Sequence, residues 1–240
     1  MIVVTLAAGL GNRLGPLTTD IPKALVQVAG RELILHLASF LDSPRVSKWI
    51  IVAGYQADRL ATFVREHRLP AEVILNSHYR DGSIRSIEAA LPHLDDDFLV
   101  TNVDHIYPKR MFDALVQNNH ALQAICDFDR MLGEDDMKVA LHSNGTLKAI
   151  HKKLPTWDAG YIGMTMVKKT GLARYKEAVH QTRRQFGDAA PVEWALGLLA
   201  EHNTGVGICD ASGFGWLEVD TPEDRMHAEA KLNLTGKVLP

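Results

Sequence analysis

Leu6-Ala7-Ala8-Gly9-Leu10-Gly11-Asn12-Arg13-Leu14, continuing through Thr18 to Pro22-Lys23-Ala24-Leu25, is the stretch on which the reading of this chain turns. It follows at once on the apolar run Ile2 to Leu6, which predicts a short buried strand. A glycine-bearing loop at the carboxyl end of such a strand sits where α/β sheets bind ligands. Gly9 and Gly11 let backbone amides approach a phosphate chain, and Arg13 and Lys23 bring two cations to the same edge. Small residues, then Arg, then Lys describe a triphosphate loop. Two rival glycine patterns do not fit. Gly9-x-Gly11-x-x-x-Gly15 is not the dinucleotide fingerprint, and Glu32 precedes the second strand at Trp49 instead of ending it. The Gly-Lys-Ser/Thr of a P-loop is absent. A tight turn alone would explain both glycines but neither cation.

Outward from the loop, short apolar runs alternate with helix-length amphipathic segments. Trp49 to Ala53 precedes Asp58 to Glu66, Glu72 to Leu75 precedes Ser83 to Leu91, and Phe98 to Val103 precedes Lys109 to Gln117. Strands of that length between helices predict βαβ units and a parallel sheet. After Ala121 the rhythm changes to successive strands, Leu122 to Phe128, Lys138 to His142, Thr146 to His151 and Gly160 to Val167, with an Asn144-Gly145 hairpin signal. Helices are expected at Gly171 to Gln185, Val192 to His202 and Thr221 to Leu232. Two short strands, Val206 to Cys209 and Trp216 to Val219, lie between the last two of these. Thr221-Pro222-Glu223 reads as a capped helix start. The fold class is α/β, doubly wound, with a mixed and mostly parallel Rossmann-like sheet. No linker or repeat divides it, so residues 1–240 are read as a single domain. A nucleotide-binding half over 1–120, an acceptor-binding half over 121–234 and a frayed tail from Thr235 are the expectations that the resemblance given below completes.

Composition narrows the partners. The chain has 240 residues, 26 Lys+Arg against 29 Asp+Glu, net charge −3 and 46% hydrophobic residues. A chain of this size buries roughly 70–75% of its extended surface, so one core suffices. Near-neutral charge argues against a general nucleic-acid or membrane-surface binder. Cys126 and Cys209, the only two cysteines, fit neither a zinc spacing nor a disulfide framework and read as reduced thiols. The N-terminus lacks the basic flank of a signal peptide, and no stretch reaches the ~18 apolar residues of a membrane span. A cytoplasmic protein is expected.

The stretch LAAGLGNRLGPLTTDIPKALVQVAG resembles the signature of nucleotidyltransferases that make nucleotide-activated sugars and alcohols. Supporting matches occur at Val52-Ala53-Gly54-Tyr55, at the strand ending in Asp104, and at Glu218-Val219-Asp220-Thr221-Pro222-Glu223-Asp224. The resemblance implies that Asp104 and Asp220 hold a catalytic Mg²⁺. Each closes a strand, and Mg²⁺ needs only a carboxylate or two when phosphates and waters complete its shell. For either aspartate alone a cap or turn role is common. The resemblance further implies attack by an acceptor phosphate on the α-phosphorus of a nucleoside triphosphate, with pyrophosphate leaving. Arg13 would hold the β and γ phosphates, Lys23 the α phosphate, and Lys152 the acceptor phosphate.

The nucleotide is expected on Leu6, Ala7, Ala8, Gly9, Gly11, Asn12, Arg13 and Lys23, and on the turn Gly82-Ser83. Gly82-Ser83-Ile84-Arg85-Ser86-Ile87 departs from the Gly-Thr-Ala turn of uridylyl and thymidylyl enzymes and looks like the branch using CTP. Thr101 to Tyr107, Lys138-Val139, Ile150 to Leu154 and Trp157 to Tyr161 are similar to CTP:inositol-1-phosphate cytidylyltransferases. Asp158 is the expected contact for acceptor hydroxyls. Glu193 and Arg85 are weaker candidates, each more simply a surface or salt-bridge residue. His105 is read as supporting the site or as a satisfied structural histidine, and Trp157, Trp194 and Trp216 as pocket wall or core. The resulting expectation is a Mg²⁺-dependent cytidylyltransferase for CTP and a small phosphorylated alcohol, best inositol-1-phosphate, with homo-oligomers allowed for. The alternatives are a phosphocholine or phosphonate cytidylyltransferase, a sugar-1-phosphate nucleotidyltransferase using UTP, dTTP or GTP, and a catalytically silent nucleotide-binding regulator.

Overall fold

A computed structural model describes residues 1–117, 120–201, 205–236 and 239. The strand before the glycine loop, β1 (Ile2–Ala7), is the axis of the sheet. Its side chains are buried on both faces, as a fully covered parallel strand requires. Two short strands, β2 (Gln27–Val28) and β3 (Arg31–Glu32), form a hairpin ahead of helix α1 (Leu33–Phe40). The βαβ rhythm continues with β4 (Lys48–Ala53), α2 (Ala57–Glu66), β5 (Ala71–Leu75), α3 (Ser83–Ala90) and β6 (Phe98–Asn102). Strands β5, β4, β1 and β6 lie side by side and parallel, with Thr5 opposite Thr101 and Ile51. Thr5 is a polar residue in the middle of this core, and it is satisfied. Its Oγ1 pairs with that of Thr101 at 3.1 Å and accepts the Trp49 indole N–H at 2.8 Å.

After β7 (His105–Ile106) and α4 (Lys109–Leu115) come β8 (Leu122–Asp127), β9 (Lys138–Leu141), β10 (Leu147–His151) and β11 (Ala159–Val167). β9 and β10 form the Asn144-Gly145 hairpin, with Gly145 at φ 78. Helices α5 (Leu172–Phe186) and α6 (Trp194–Glu201), strands β12 (Gly207–Asp210) and β13 (Leu217–Glu218), and helix α7 (Pro222–Leu234) complete the chain. α6 starts two residues later than expected, and His202 lies outside the described residues. The expected Thr221 cap opens α7, and Asp224 completes it as a capping box. Of the tail, Thr235 bonds back to Leu232 and Leu239 is buried against the third core cluster, whereas 237, 238 and 240 lie outside the described residues.

One nine-stranded sheet runs through both halves of the sequence. Strand β11 makes the join. Its carboxyl half pairs antiparallel with β6, its amino half with β9, and β8 lies along its other side with β12 beyond. Seven strands run one way, and only β11 and β10 oppose them. The register along β11 shifts between Tyr161 and Thr165, and Gly163 there takes φ 74. A side chain at Gly163 would strike the Asn102 amide and the His105 ring, so glycine lets β11 bend around the carboxyl end of β6. That bend opens the space where the functional groups gather. Among the described residues no helix is long and apolar enough to cross a membrane. Cys126 and Cys209 are both buried, and burial pushes the Cys126 thiol up.

Candidate active site

Two backbone devices bring the charged groups together. The β1–β6 pairing is prolonged by the Val103 N–H on Leu6 O (3.2 Å), which delivers Asp104 beyond the sheet edge. β13 pairs antiparallel with β7, and Val219 N–H donates to Asp104 O at 2.9 Å, so Asp220 emerges beside Asp104 although 116 positions separate them. The glycine loop supplies the cations. Gly11 adopts φ 68, and a side chain there would press on Thr18, whose hydroxyl ties the loop by bonding Gly11 O at 2.9 Å. The chain then turns so that Lys23 points inward.

Lys23 stands between the two aspartates. Its buried ammonium donates to Asp104 Oδ2 at 2.7 Å and to Asp220 Oδ1. Arg13 Nη2 meets the other Asp220 oxygen at 2.5 Å, and His105 Nδ1 donates to the other Asp104 oxygen at 2.6 Å. All four carboxylate oxygens are therefore engaged by cationic or donor groups. Burial, the largest single influence, opposes charge on both Lys23 and Asp104, yet their mutual attraction prevails. Lys23 is held above its ordinary value, and Asp104, helped by His105, far below the carboxylate range. His105 also rises, because Asp104 outweighs its burial.

Two cavities meet at this cluster. The smaller, about 240 Å³, brings together Leu6, Ala7, Ala8, Gly9, Lys23, Gly82 and Ser83 in its lining. Gly9 faces open space, so backbone there is accessible to a ligand. Gly82 has no such space. A side chain would run into the backbone of Ala189 and Ala190, and the turn is pinned there by Gly82 N–H to Asp188 O (2.8 Å) and Ile84 N–H to Ala190 O (3.1 Å). The larger cavity, about 520 Å³, contains Arg13, Asp104, Asp220 and Lys152. Ser83, Asn102, Asp104 and Glu193 belong to the walls of both.

The structure separates candidates that the sequence ranked together. Gly11 and Asn12 line neither cavity; Gly11 shapes the loop, and Asn12 opens the turn that carries Arg13. Asp158 lines neither cavity. Its carboxylate accepts the Leu141 N–H at 2.7 Å, tying the start of β11 to β9. Arg85 is a salt-bridge residue, 2.5 Å from Glu88, whereas Glu193 enters both cavities. Trp194 packs with Phe186 and His151, and Trp157 lies under the Lys138 ammonium.

Other groups in the large cavity were not foreseen as site residues. Asp127 ends β8 and caps the following turn through the N–H groups of Asp129 (2.8 Å) and Arg130 (3.2 Å). Its second oxygen accepts the Trp216 indole N–H at 2.8 Å. Arg130 lies 4.3 Å over the Trp216 ring and meets Glu218 Oε2 at 3.1 Å, while His105 stacks on the same indole at 5.4 Å. Glu218 and Glu193 are both raised above the ordinary carboxylate value, chiefly by burial. The available signal was positional: Asp127 closes a strand of the same sheet just as Asp104 does, and Glu218 stands two residues before Asp220.

Comparison with known proteins agrees with this geometry. Residues 3–152 match the MobA-like NTP transferase domain. The "Bifunctional IPC transferase and DIPP synthase" of Aquifex aeolicus is 29% identical over 97% of this chain, which covers 52% of that relative. The chain spans about half the length of the first curated relatives it matches. The "N-acetylmuramate alpha-1-phosphate uridylyltransferase" of Caulobacter vibrioides is 30% identical over 96% of both chains. In fold, the chain is similar to the inositol-1-phosphate CTP transferase of T. maritima, with TM-score 0.80, 18% identity, and 97% and 96% of the two chains covered. A glycine loop, a lysine between two strand-end aspartates and a domain match over more than half the chain place it in one family: the chain belongs to the MobA-like NTP transferase domain family, and its domain is a nucleotidyltransferase domain.

Proposed function

We propose that this chain transfers a cytidylyl group from CTP to a phosphorylated polyol, releasing pyrophosphate, with inositol-1-phosphate as the preferred acceptor. The observation that carries the reading is the seam itself. A pocket of small residues and a highly charged cavity meet at Arg13, Lys23, Asp104 and Asp220, so a nucleotide in one and an acceptor in the other would react at the shared wall. An oxygen of the acceptor phosphate forms a bond to the α-phosphorus. The bond from that phosphorus to the bridging oxygen breaks, and pyrophosphate leaves with the electron pair. The attacking phosphate is already ionised near neutral pH, so no protein base is needed. What the chain supplies is placement and neutralisation of charge.

Lys23 and Arg13 are the cations nearest that seam, and each is now held by an aspartate that an incoming phosphate would replace. Among the described residues no three or more His, Cys, Asp or Glu groups gather as a metal cage. Asp104 and Asp220 nevertheless converge on one positive centre, the Lys23 ammonium, and two hard carboxylates suit a Mg²⁺ that takes its remaining ligands from phosphate and water. When bound there, Mg²⁺ would supply further neutralisation of the triphosphate. Lys152, which lines the large cavity, is the proposed partner of the acceptor phosphate.

Support for CTP comes from the Gly82-Ser83 turn and from the names of the IPC transferases and the T. maritima enzyme. Support for a polyol comes from the cavity. A quaternary ammonium favours open aromatic faces. Here Trp216 already carries the Arg130 guanidinium and the His105 ring, and the Tyr161 hydroxyl is engaged by Thr165 at 2.8 Å. A sugar-1-phosphate uridylyltransferase is the second reading, favoured by the match to the Caulobacter enzyme along both chains. Pyrophosphate release with Mg²⁺ separates the two. CTP, UTP, dTTP and GTP are each paired with inositol-1-phosphate, phosphocholine, 2-aminoethylphosphonate and glucose-1-phosphate. Fastest release with CTP and inositol-1-phosphate is expected; preference for UTP and a sugar phosphate contradicts the proposal.

A further inference from the structure

Lys138 opens β9 with only 5% of its surface exposed, and its charge is met by backbone. The ammonium donates to Gly133 O at 2.7 Å and to Lys152 O at 2.9 Å, with longer bonds to Glu134 O (3.4 Å) and Asp136 O (3.5 Å). The exposed Trp157 ring lies 5.2 Å from the same nitrogen. Among the described residues no carboxylate pairs with it. The root of the side chain is fixed as well, since Lys138 is laddered opposite His151 of β10 and Gly160 of β11. A lysine sealed in this way is rare unless it is paired. Here its partners are peptide carbonyls.

Those carbonyls come from two separate turns. Gly133, Glu134 and Asp136 belong to the turn after β8, and Lys152 to the turn after β10. Both turns wall the large cavity, the first through Leu132, Asp135 and Asp136 and the second through Lys152. Carbonyl dipoles aimed at one buried point repel one another and, without a donor, go unsatisfied. The ammonium is what joins them. Lys138 itself is absent from the cavity wall, so it acts on a bound ligand only through the backbone it holds. Resting on the assignment of Lys152 to the acceptor phosphate, we infer that Lys138 is a positioning residue for the acceptor: its ammonium clamps the backbone from which the Lys152 side chain enters the cavity and locks the turn 133–136 to it. A lysine offers a phosphate a point charge on a flexible four-carbon stem. Its aim therefore depends on where its backbone is held. Displacing a positioning group by about 1 Å costs on the order of 10²-fold in rate, so a clamp outside the site can matter as much as a contact within it.

The test uses the full chain, with steady-state constants for inositol-1-phosphate and CTP and calorimetric binding of inositol-1-phosphate. Lys138→Met removes the donor and is expected to raise the acceptor KM and Kd on the order of 10-fold, leaving the KM for CTP unchanged. Lys152→Met should raise the acceptor constants by at least as much. In the Lys152→Met background, Lys138→Met should add nothing to the acceptor constants while its loss of thermal stability persists, which separates aim from folding. Lys138→Gln, whose amide still donates hydrogen bonds, should fall between the wild type and Lys138→Met, and it decides by the same criteria if Lys138→Met does not fold. Lys153→Met removes an exposed charge next to the clamp and should change neither constant. An equal rise there would reduce the effect to net charge and overturn the inference. So would an unchanged acceptor KM in Lys138→Met, an equal rise for CTP, or additive losses in the double variant. Unaltered acceptor constants in Lys152→Met, or no binding of inositol-1-phosphate by the wild type, would sink the acceptor reading and the clamp with it. Lys138-dependent binding by a wild type that releases no pyrophosphate would sink only the proposed reaction and keep the clamp.

Discussion

The two cavities that meet at Lys23 are built from different materials. The smaller is walled largely by backbone and small side chains of the loop after β1 and the turn before α3, and only Lys23, Asp81, Asp104 and Glu193 bring charge to it. The larger is walled by charged side chains from β13 and the turns after β8 and β10, with Gly160, Tyr161 and Gly163 of β11 between them. Backbone position follows from topology, so the first surface is fixed once the parallel sheet forms. Side-chain position in the second needs supports of its own: a capped turn, an indole platform and a bulge at Gly163. A pocket of the first kind suits the part of a reaction common to a family, and one of the second kind suits the part that distinguishes its members.

The contrast can be broken first at Lys23, which bonds Asp104 on the wall both cavities share. Lys23→Met should reduce turnover with CTP and inositol-1-phosphate on the order of 10²- to 10³-fold, since a positioned charge is lost at the developing charge. It also leaves Asp104 and Asp220 facing each other, so the unfolding midpoint should fall as well. Steady-state rates and denaturant unfolding measure the two effects, and near-normal turnover would remove Lys23 from the chemistry. Next in size is Gly82→Ala, which forces a methyl group into the Ala189–Ala190 backbone. A cost of about 1–3 kcal/mol in unfolding free energy is expected from overpacking, together with a higher KM for the nucleotide.

Two buried histidines sharpen the comparison between site and scaffold. His36, whose Nε2 donates to Val28 O at 3.0 Å, is lowered from its ordinary 6.5, first by burial. The unfolded chain therefore binds a proton there that the folded chain refuses, and stability falls as pH drops through 6.5. His105 is raised above 6.5, so its contribution is fully present below 6.5 and is lost as pH rises through its folded value. Denaturant unfolding measured across pH should show His36→Asn flattening the acid side of the stability profile and His105→Asn the neutral side. A profile that neither substitution alters would contradict both assignments. The smallest effect belongs to Asp158→Asn. It should cost roughly 0.5–1.5 kcal/mol of stability through the Leu141 N–H and leave the acceptor KM where it was.

The small pocket was largely legible in the sequence because its residues sit at the ends of strongly patterned elements. Leu6 to Gly9, Lys23 and Gly82-Ser83 each follow or precede a strongly patterned element, and the structure puts them in one pocket. Asp104 and Asp220 could be paired because each closes a strand. The charged cavity resisted because its groups come from short strands and irregular turns. Glu218 projects from a strand of two residues, and Arg130 from an irregular turn whose cap is Asp127, so no periodicity points at either. Asp158, an acid before a glycine on a strand, accepts the Leu141 N–H, a bond that no sequence pattern announces. The halves of the sheet differ likewise. The parallel strands follow from local alternation, but the splitting of β11 between β6 and β9 depends on a bulge that only the packed sheet reveals.

The central claim is that an acceptor phosphate attacks the α-phosphorus of CTP at the seam of the two cavities. Incubation with CTP, Mg²⁺ and inositol-1-phosphate carrying ¹⁸O in its phosphate, followed by mass spectrometry, addresses it directly. The account predicts a labelled CDP-alcohol and unlabelled pyrophosphate. Label in the pyrophosphate, or release of pyrophosphate without any CDP-alcohol, would contradict it.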